Sequence, residues 1–173
     1  MNDRTRWRIS GAAAIAGGLL RVASTFTASA LDASTLQLSY FVTDVMLLFG
    51  LLGIYLRNRD ALRWGGSIGF ALGMVGILTI RSAALLGSKG YEIGAGALLV
   101  GLAILGFAAL AYRTSARVPA VLWLTSLVLG TVGAVAPGFA WSTALAGIAF
   151  GLGFALAGWE LLRQASPSAD QSP

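Results

Sequence analysis

The sequence predicts an all-α, polytopic integral membrane protein: a bundle of six transmembrane helices arranged as three tight hairpins. Of the 173 residues, 57% are hydrophobic and only 11% are charged, whereas an ordinary soluble domain carries about 25% charged residues. The mean hydropathy is +0.79. Apolar stretches of about 20 residues, the length that crosses a bilayer, recur along nearly the whole chain. Little of the chain is left for a domain outside the membrane.

The six predicted spans form one domain over residues 1–164. Asp32 begins a run of good N-cap residues before the second span, and Pro119 lies in the first turn of the fifth span, where a missing amide hydrogen costs least. The predicted spans are 8–30, 34–57, 64–86, 92–112, 118–136 and 139–162. The tail, 165–173, is short and polar, and we expect it to be disordered.

The first 30 residues allow a second interpretation. A basic start, an apolar stretch from Ile9 to Leu20 and the sequence Ala28-Ser29-Ala30 resemble a secretory signal with its cleavage site. Cleavage there would leave five spans and an N-terminus outside the cell. Arg21 and nine further residues separate the apolar stretch from that site, which is long for a cleavage region, so we favour an uncleaved first helix.

The basic residues predict the orientation. Of the twelve arginines and lysines, nine fall at the N-terminus, in the loops after the second and fourth spans, and at the C-terminal end: Arg4, Arg6, Arg8, Arg57, Arg59, Arg63, Arg113, Arg117 and Arg163. Six spans bring all nine to one side, and Lys89 falls in an outer loop. By the positive-inside rule we predict a multi-pass protein of the plasma (inner) membrane with both termini in the cytoplasm.

The composition argues against several kinds of chemistry. The chain has no cysteine and no histidine, so the usual ligands of iron–sulfur, haem, zinc and copper sites are missing. A retinal Schiff base needs a lysine in mid-membrane, and Lys89 lies in a loop. Asp44 is the single acid near mid-membrane, without an acidic partner. We therefore expect no cofactor, no metal and no enzyme, and we attribute the net charge of +5 to topology signals rather than to nucleic-acid binding.

Two charges of opposite sign lie at matching depth in the first two spans. Arg21 is about 3 Å outward of the centre of span 8–30, and Asp44 is about 2 Å outward of the centre of span 34–57. Each costs about 2.5–3.5 kcal/mol at the centre of a membrane helix. Because spans joined by a tight loop are usually neighbours, we predict that Arg21 and Asp44 pair across the first hairpin.

Further polar residues extend this predicted cluster. Gln37, Tyr40 and Asp44 share one face of the second span, and Ser24 and Thr25 accompany Arg21 on the first. Arg81 lies about 9 Å outward of the centre of span 64–86, and Glu92 begins the fourth span. The candidate site, or intramembrane polar cluster, therefore consists of Arg21, Asp44, Arg81, Tyr40, Gln37 and Glu92.

Small residues at intervals of four predict close helix contacts. They are Gly65, Gly69 and Gly73 on the third span, and Thr143, Gly147, Gly151 and Ala155 on the sixth. A six-helix bundle needs several such seams itself, so we favour packing inside one protomer over a homodimer face. A membrane-protein partner or a homo-oligomer that docks on these glycine-rich faces is the alternative.

Two functions fit these features. The first is a non-catalytic membrane subunit or helper protein, in which a buried Arg–Asp pair fixes the packing of the helices. The alternative is a small-molecule binding or transport protein, in which Arg21 and Arg81 hold an anionic or amphipathic ligand in the outer half of the bundle.

Overall fold

In the computed structural model, residues 3–82, 88–114 and 116–165 are described, and within them the chain forms α-helices with one 3₁₀ turn. The helices are α1 (Asp3–Thr27), α2 (Ala33–Arg81), α3 (Ser88–Ala111), α4 (Arg117–Val135) and α5 (Ala140–Ala165), with the turn Pro137–Phe139 before α5. All five are long and apolar enough to cross a membrane. The all-helical fold and the apolar, membrane-compatible helices are confirmed. The predicted tail lies almost entirely outside the described residues.

Helix α2 reverses direction at Arg63. It counts 49 residues, but Arg63 has a non-helical backbone (φ 53°, ψ −153°). A straight helix would place residues 44 and 81 about 55 Å apart, yet the side chains of Asp44 and Arg81 touch. The rings of Tyr55 and Phe70 also stack, with centroids 4.2 Å apart. The first arm (33–62) and the second arm (64–81) of α2 therefore lie antiparallel.

The reversal is tighter than the sequence pattern predicts. The basic segment after residue 57 is not a loop, because the helix continues to Leu62, whose side chain is 2% exposed in the core. Within this part of the helix, the side-chain Nδ2 of Asn58 donates a hydrogen bond to the backbone carbonyl oxygen of Ile54, one turn earlier, at 2.9 Å. Burial of Leu62 holds the last helical turn of the first arm against the bundle. The chain then reverses at Arg63, which is the non-helical residue between the two arms.

Asp32 begins α2 as its N-cap. Its carboxylate accepts hydrogen bonds from the backbone N–H groups of Ser34 and Thr35, at 3.1 and 3.0 Å. Hydrogen bonding, chiefly with the side chain of Thr35, lowers the pKa of Asp32 below its usual value. The predicted N-cap sequence therefore does start this helix.

The helices close into a ring around an apolar core. Helix α1 packs between the first arm of α2 and α5, α3 packs between the second arm of α2 and α4, and α4 packs against α5. Large side chains from four of these elements fill the centre, among them Leu51, Leu102, Trp123 and Phe154. Trp123 and Phe154 contact each other with centroids 5.4 Å apart.

Two glycine seams hold neighbouring helices at backbone contact. In the first, between α1 and α5, a methyl group added at Gly18 would collide with the carbonyl oxygen of Gly151. In the second, between the second arm of α2 and α3, a methyl group at Gly69 would lie 2.7 Å from the carbonyl oxygen of Gly101. The glycine faces predicted on the third and sixth spans therefore include contacts made within the chain, as membrane helices need when lipid removes the hydrophobic drive.

The basic segments meet at one end of the bundle, which we call the basic end. The guanidinium of Arg57 lies over the ring of Trp7, 5.7 Å from its centroid, and its Nε donates to Gln164 at 3.0 Å. Arg63 likewise lies over the ring of Tyr112. The start of α1, the reversal of α2 and the end of α5 are therefore close together.

We predict that Gly18→Ala lowers the free energy of unfolding by about 1–3 kcal/mol, the usual cost of overpacking, because the added methyl group meets the backbone of α5. Gly96→Ala is the matched control, since a methyl group there has no atom within 4 Å. Both changes replace a helical glycine, so the gain in helix propensity is the same. Thermal unfolding in detergent measures the difference, and equal melting temperatures for the two variants would contradict the seam.

Candidate functional site

The charged cluster centres on an ion pair between the two arms of α2. Arg81 Nε lies 2.6 Å from Asp44 Oδ2, and the two side chains are 32% and 16% exposed. These two contacting atoms are themselves buried, and neither makes a hydrogen bond within the described part of the chain. The interaction is therefore an ion pair with a buried contact. The exposed part of each side chain belongs to its other atoms.

The single-residue turn explains why these two residues meet. Along the helix axes, Asp44 lies about 28 Å from Arg63 on the first arm, and Arg81 lies about 27 Å from it on the second. The arms are antiparallel, so the two side chains reach the same level. The depths predicted from the sequence differed because the predicted second span ended at residue 57, whereas the first arm of α2 continues to Leu62.

The prediction that Arg21 pairs with Asp44 is wrong, because Asp44 pairs with Arg81 instead. Arg21 Nη1 instead donates to Ser24 Oγ at 3.2 Å, while Ser24 and Thr25 donate from their hydroxyl groups to the carbonyl oxygen of Arg21, at 2.8 and 3.4 Å. Its guanidinium faces α5, where a methyl group added at Gly147 would lie 3.7 Å from Nη2. Arg21 is directed to α5 because α1 packs in the groove between α5 and the first arm.

Arg21 still contributes charge to the cluster. It lies close enough to act electrostatically on Asp44, although no ion pair within 4.0 Å joins them. The two arginines and one aspartate give the cluster a net charge of about +1. Gly147, together with the Ser24 and Thr25 hydroxyl groups, gives Arg21 the room and the polar contacts that a charge inside a helical bundle needs.

The other three predicted site residues are not bonded to the ion pair. The side chains of Gln37 and Glu92 are exposed, and that of Tyr40 is half-buried. Among the described residues, none of the three forms a hydrogen bond or an ion pair with Asp44 or Arg81. The structure thus brings together Asp44, Arg81 and, at longer range, Arg21.

Two clefts lie elsewhere on the bundle. A niche with room for about one water molecule, roughly 10 Å³, opens at the basic end beside Asn58, Glu160 and Gln164. A shallow apolar groove of about 330 Å³ runs along α4, lined by Val121, Leu124, Thr125, Val128 and Leu129. No residue of the predicted cluster lines either one. In the described part of the chain, no three acidic side chains come together as a metal site would require.

Helix α4 carries a feature that the sequence analysis missed. Its exposed face repeats at alternating intervals of three and four residues, as the seam of a helix–helix contact does. We call this face the valine stripe; its members are Val118, Val121, Thr125, Val128, Val132 and Val135. The spacing is legible in the sequence, but only the fold shows that this face points away from the bundle.

Comparison of the chain with models of known protein families, with curated proteins and with solved structures finds no match.

We predict that Asp44 and Arg81 are energetically coupled. Asp44→Asn or Arg81→Gln alone should destabilise the protein by less than the roughly 3–5 kcal/mol lost when a fully buried pair loses one partner, because both side chains are partly exposed. The double variant should recover part of that loss. Unfolding in detergent, measured as a double-mutant cycle, gives the coupling free energy.

The matched cycle replaces Arg81→Gln by Arg21→Gln. We expect the coupling between Asp44 and Arg81 to exceed that between Asp44 and Arg21, which are not in contact. Additive effects for Asp44 and Arg81, to within about 0.5 kcal/mol, would argue against the ion pair as a determinant of stability.

Proposed function

We propose that this chain is a non-catalytic membrane subunit or helper protein that binds a transmembrane helix of a partner protein on α4. The observation that carries the proposal is the valine stripe. Its members are all exposed, none is charged, and their spacing is that of a left-handed helix pair. The partner is therefore an apolar transmembrane helix with a complementary repeat.

The chemistry of the valine stripe favours a helix over lipid chains as its contact. Five of its six members are valine, which is branched at Cβ and has one strongly preferred side-chain rotamer in a helix. Ordering such side chains against a second helix costs little conformational entropy. The groove beside Val121 and Val128 is a shallow apolar depression lined by residues of α4 alone, so the side chains of a partner helix would pack directly over this face.

The ion pair supports this function as a determinant of packing. Asp44 and Arg81 join the arms of α2, the second arm carries α3, and α3 in turn contacts α4. A fixed register of the arms therefore keeps α4 in a constant position. Replacing a buried ion pair by apolar residues is often neutral for stability, so a pair of this kind contributes to specificity of packing more than to its strength.

A second function, binding or transport of an anionic or amphipathic molecule, rests on a different observation. Two arginines face one aspartate, and Arg21 has no acidic partner within 4.0 Å in the described part of the chain. A carboxylate or phosphate group would balance this charge. The first function is favoured because Arg81 is already paired with Asp44, which leaves only Arg21 to hold such a group.

The proposal includes six membrane crossings in the plasma membrane, with the basic end in the cytoplasm. The second arm of α2 (64–81) is about 27 Å long, and α4 is about 28 Å long, close to the roughly 30 Å of a hydrocarbon core. Each arm of α2 then crosses separately. The start of α1 and the end of α5 meet at the basic end, so both termini are cytoplasmic by the positive-inside rule.

We predict that residues 29 and 60 lie on opposite sides of the membrane. The chain contains no cysteine, so Ser29→Cys and Asp60→Cys each introduce a single labelling site on an exposed segment. A membrane-impermeant maleimide should label Ser29→Cys in intact cells and Asp60→Cys only in inverted vesicles. Labelling of both from the same side would contradict separate crossings by α1 and the first arm of α2.

We further predict that a photo-crosslinking benzoylphenylalanine at Val128 captures a partner helix in native membranes. The same group at Val75 is the control, because Val75 is similarly exposed but lies on the second arm of α2. The expected result is one adduct of defined mass at position 128 and none at 75, identified by mass spectrometry. Lipid adducts alone at both positions would overturn the proposed docking function, and an adduct between two copies would identify the partner as this chain itself.

A further inference from the structure

Three arginines lie beside the connection between α3 and α4, at the basic end. The guanidinium of Arg63 lies 5.3 Å from the centroid of the Tyr112 ring. Arg113 follows Tyr112 directly, and its carbonyl oxygen accepts a hydrogen bond from Arg117 Nη2 at 3.3 Å. These contacts join the reversal of α2 to the connection between α3 and α4. We call Arg63, Arg113 and Arg117 the arginine triad.

Two members of the arginine triad occupy backbone conformations that normally belong to glycine. Arg63 has φ 53° and ψ −153°, and Arg113 has φ 52°. At Arg113 the chain leaves α3 by a glycine-type C-cap, in which the N–H of Thr114 donates to the carbonyl oxygen of Ala109 at 3.0 Å. A non-glycine residue in such a region costs of order 1–3 kcal/mol, so an arginine is locally less favourable than a glycine at both positions.

The charge of the triad is not neutralised by the protein. In the described part of the chain, no carboxylate lies within 4.0 Å of any of the three guanidinium groups, and the nearby Asp60 lies 3.6 Å from Arg59 instead. Helix α4 begins at Arg117 with Ala116 at its N-cap, which provides no side-chain hydrogen bond. The exposed amide groups and positive dipole of this helix end add to the same positive field.

We propose that the arginine triad binds the phosphate of an anionic phospholipid. Guanidinium groups bind phosphate oxygens through paired, charge-assisted hydrogen bonds, and basic pockets between transmembrane helices hold the head groups of anionic lipids. Charge complementarity thus assigns an anionic occupant to the triad. This inference goes beyond the proposed partner docking and does not depend on it.

The surroundings of the triad favour a lipid over a free anion. Trp64, next to Arg63, is 84% exposed, and Tyr112 is also exposed, as aromatic residues are at the head-group level of a bilayer. The triad therefore lies where polar and apolar parts of one lipid would both find contacts.

The test measures lipid-induced thermal stabilisation of the purified protein in detergent. Phosphatidylglycerol is titrated against phosphatidylcholine and against inorganic phosphate, for the wild type and for Arg63→Gln, Arg113→Gln and Arg117→Gln, singly and together. We expect stabilisation by phosphatidylglycerol only, with the apparent affinity falling about fivefold for each arginine removed near a charged lipid surface. Because the triple variant risks misfolding, native mass spectrometry counts bound lipid on the single variants as well.

The control removes three arginines that lie at the same end but outside the connection between α3 and α4. Arg57 contacts Gln164 and Trp7, Arg59 lies 3.6 Å from Asp60, and Arg163 is in the last turn of α5. The variant Arg57→Gln/Arg59→Gln/Arg163→Gln should keep the wild-type response to phosphatidylglycerol. An equal loss in this variant, an equal response to phosphatidylcholine, or a similar response to inorganic phosphate alone would each overturn the assignment.

Discussion

The reversal of α2 at Arg63 is the constraint on which the rest of the structure depends. A single non-helical residue between two helical arms does not allow the arms to slide past each other. The position of each residue on the first arm therefore determines its neighbour on the second. Tyr55 therefore meets Phe70, and Asp44 meets Arg81. A longer loop would allow the arms to slide, and a shift of one turn, about 5.4 Å, would separate the charges. The turn thus sets the register, and the ion pair fixes it in the half of the bundle away from the basic end.

The helices then associate by close packing rather than by hydrophobic burial. Lipid tails are as apolar as leucine side chains, so contact between spans depends on van der Waals packing and a few polar interactions. Gly18 and Gly151 bring α1 and α5 to backbone contact, and Gly69 and Gly101 do the same for the second arm of α2 and α3. A charge is tolerated where a glycine leaves room for it, as Gly147 does for the guanidinium of Arg21.

The sequence predicts the helical class and the apolar, membrane-compatible helices, because composition and the length of apolar runs depend directly on the bilayer. It fails on the partner of Asp44. The predicted second span ends at residue 57, whereas the first arm of α2 ends at Leu62, so the predicted centre of this helix is displaced by about 3 Å. A displacement of this size is enough to change which side chain lies opposite Asp44. The contact of Arg21 with α5 could not be predicted from the sequence either, because the order of the helices around the bundle is set by packing between residues that are distant in the chain.

The distribution of small and β-branched residues separates inward from outward faces. Glycine removes the side chain altogether and permits the backbone contacts of the inner seams, whose partners lie within the chain. Valine keeps a rigid, apolar surface, and on α4 it repeats at the spacing of a helix pair on the side away from the bundle. Any single face of an α-helix repeats at intervals of three and four residues, so the spacing alone does not separate a lipid contact from a helix contact. The concentration of stiff, β-branched side chains on this one face of α4 is what supports the docking function proposed above.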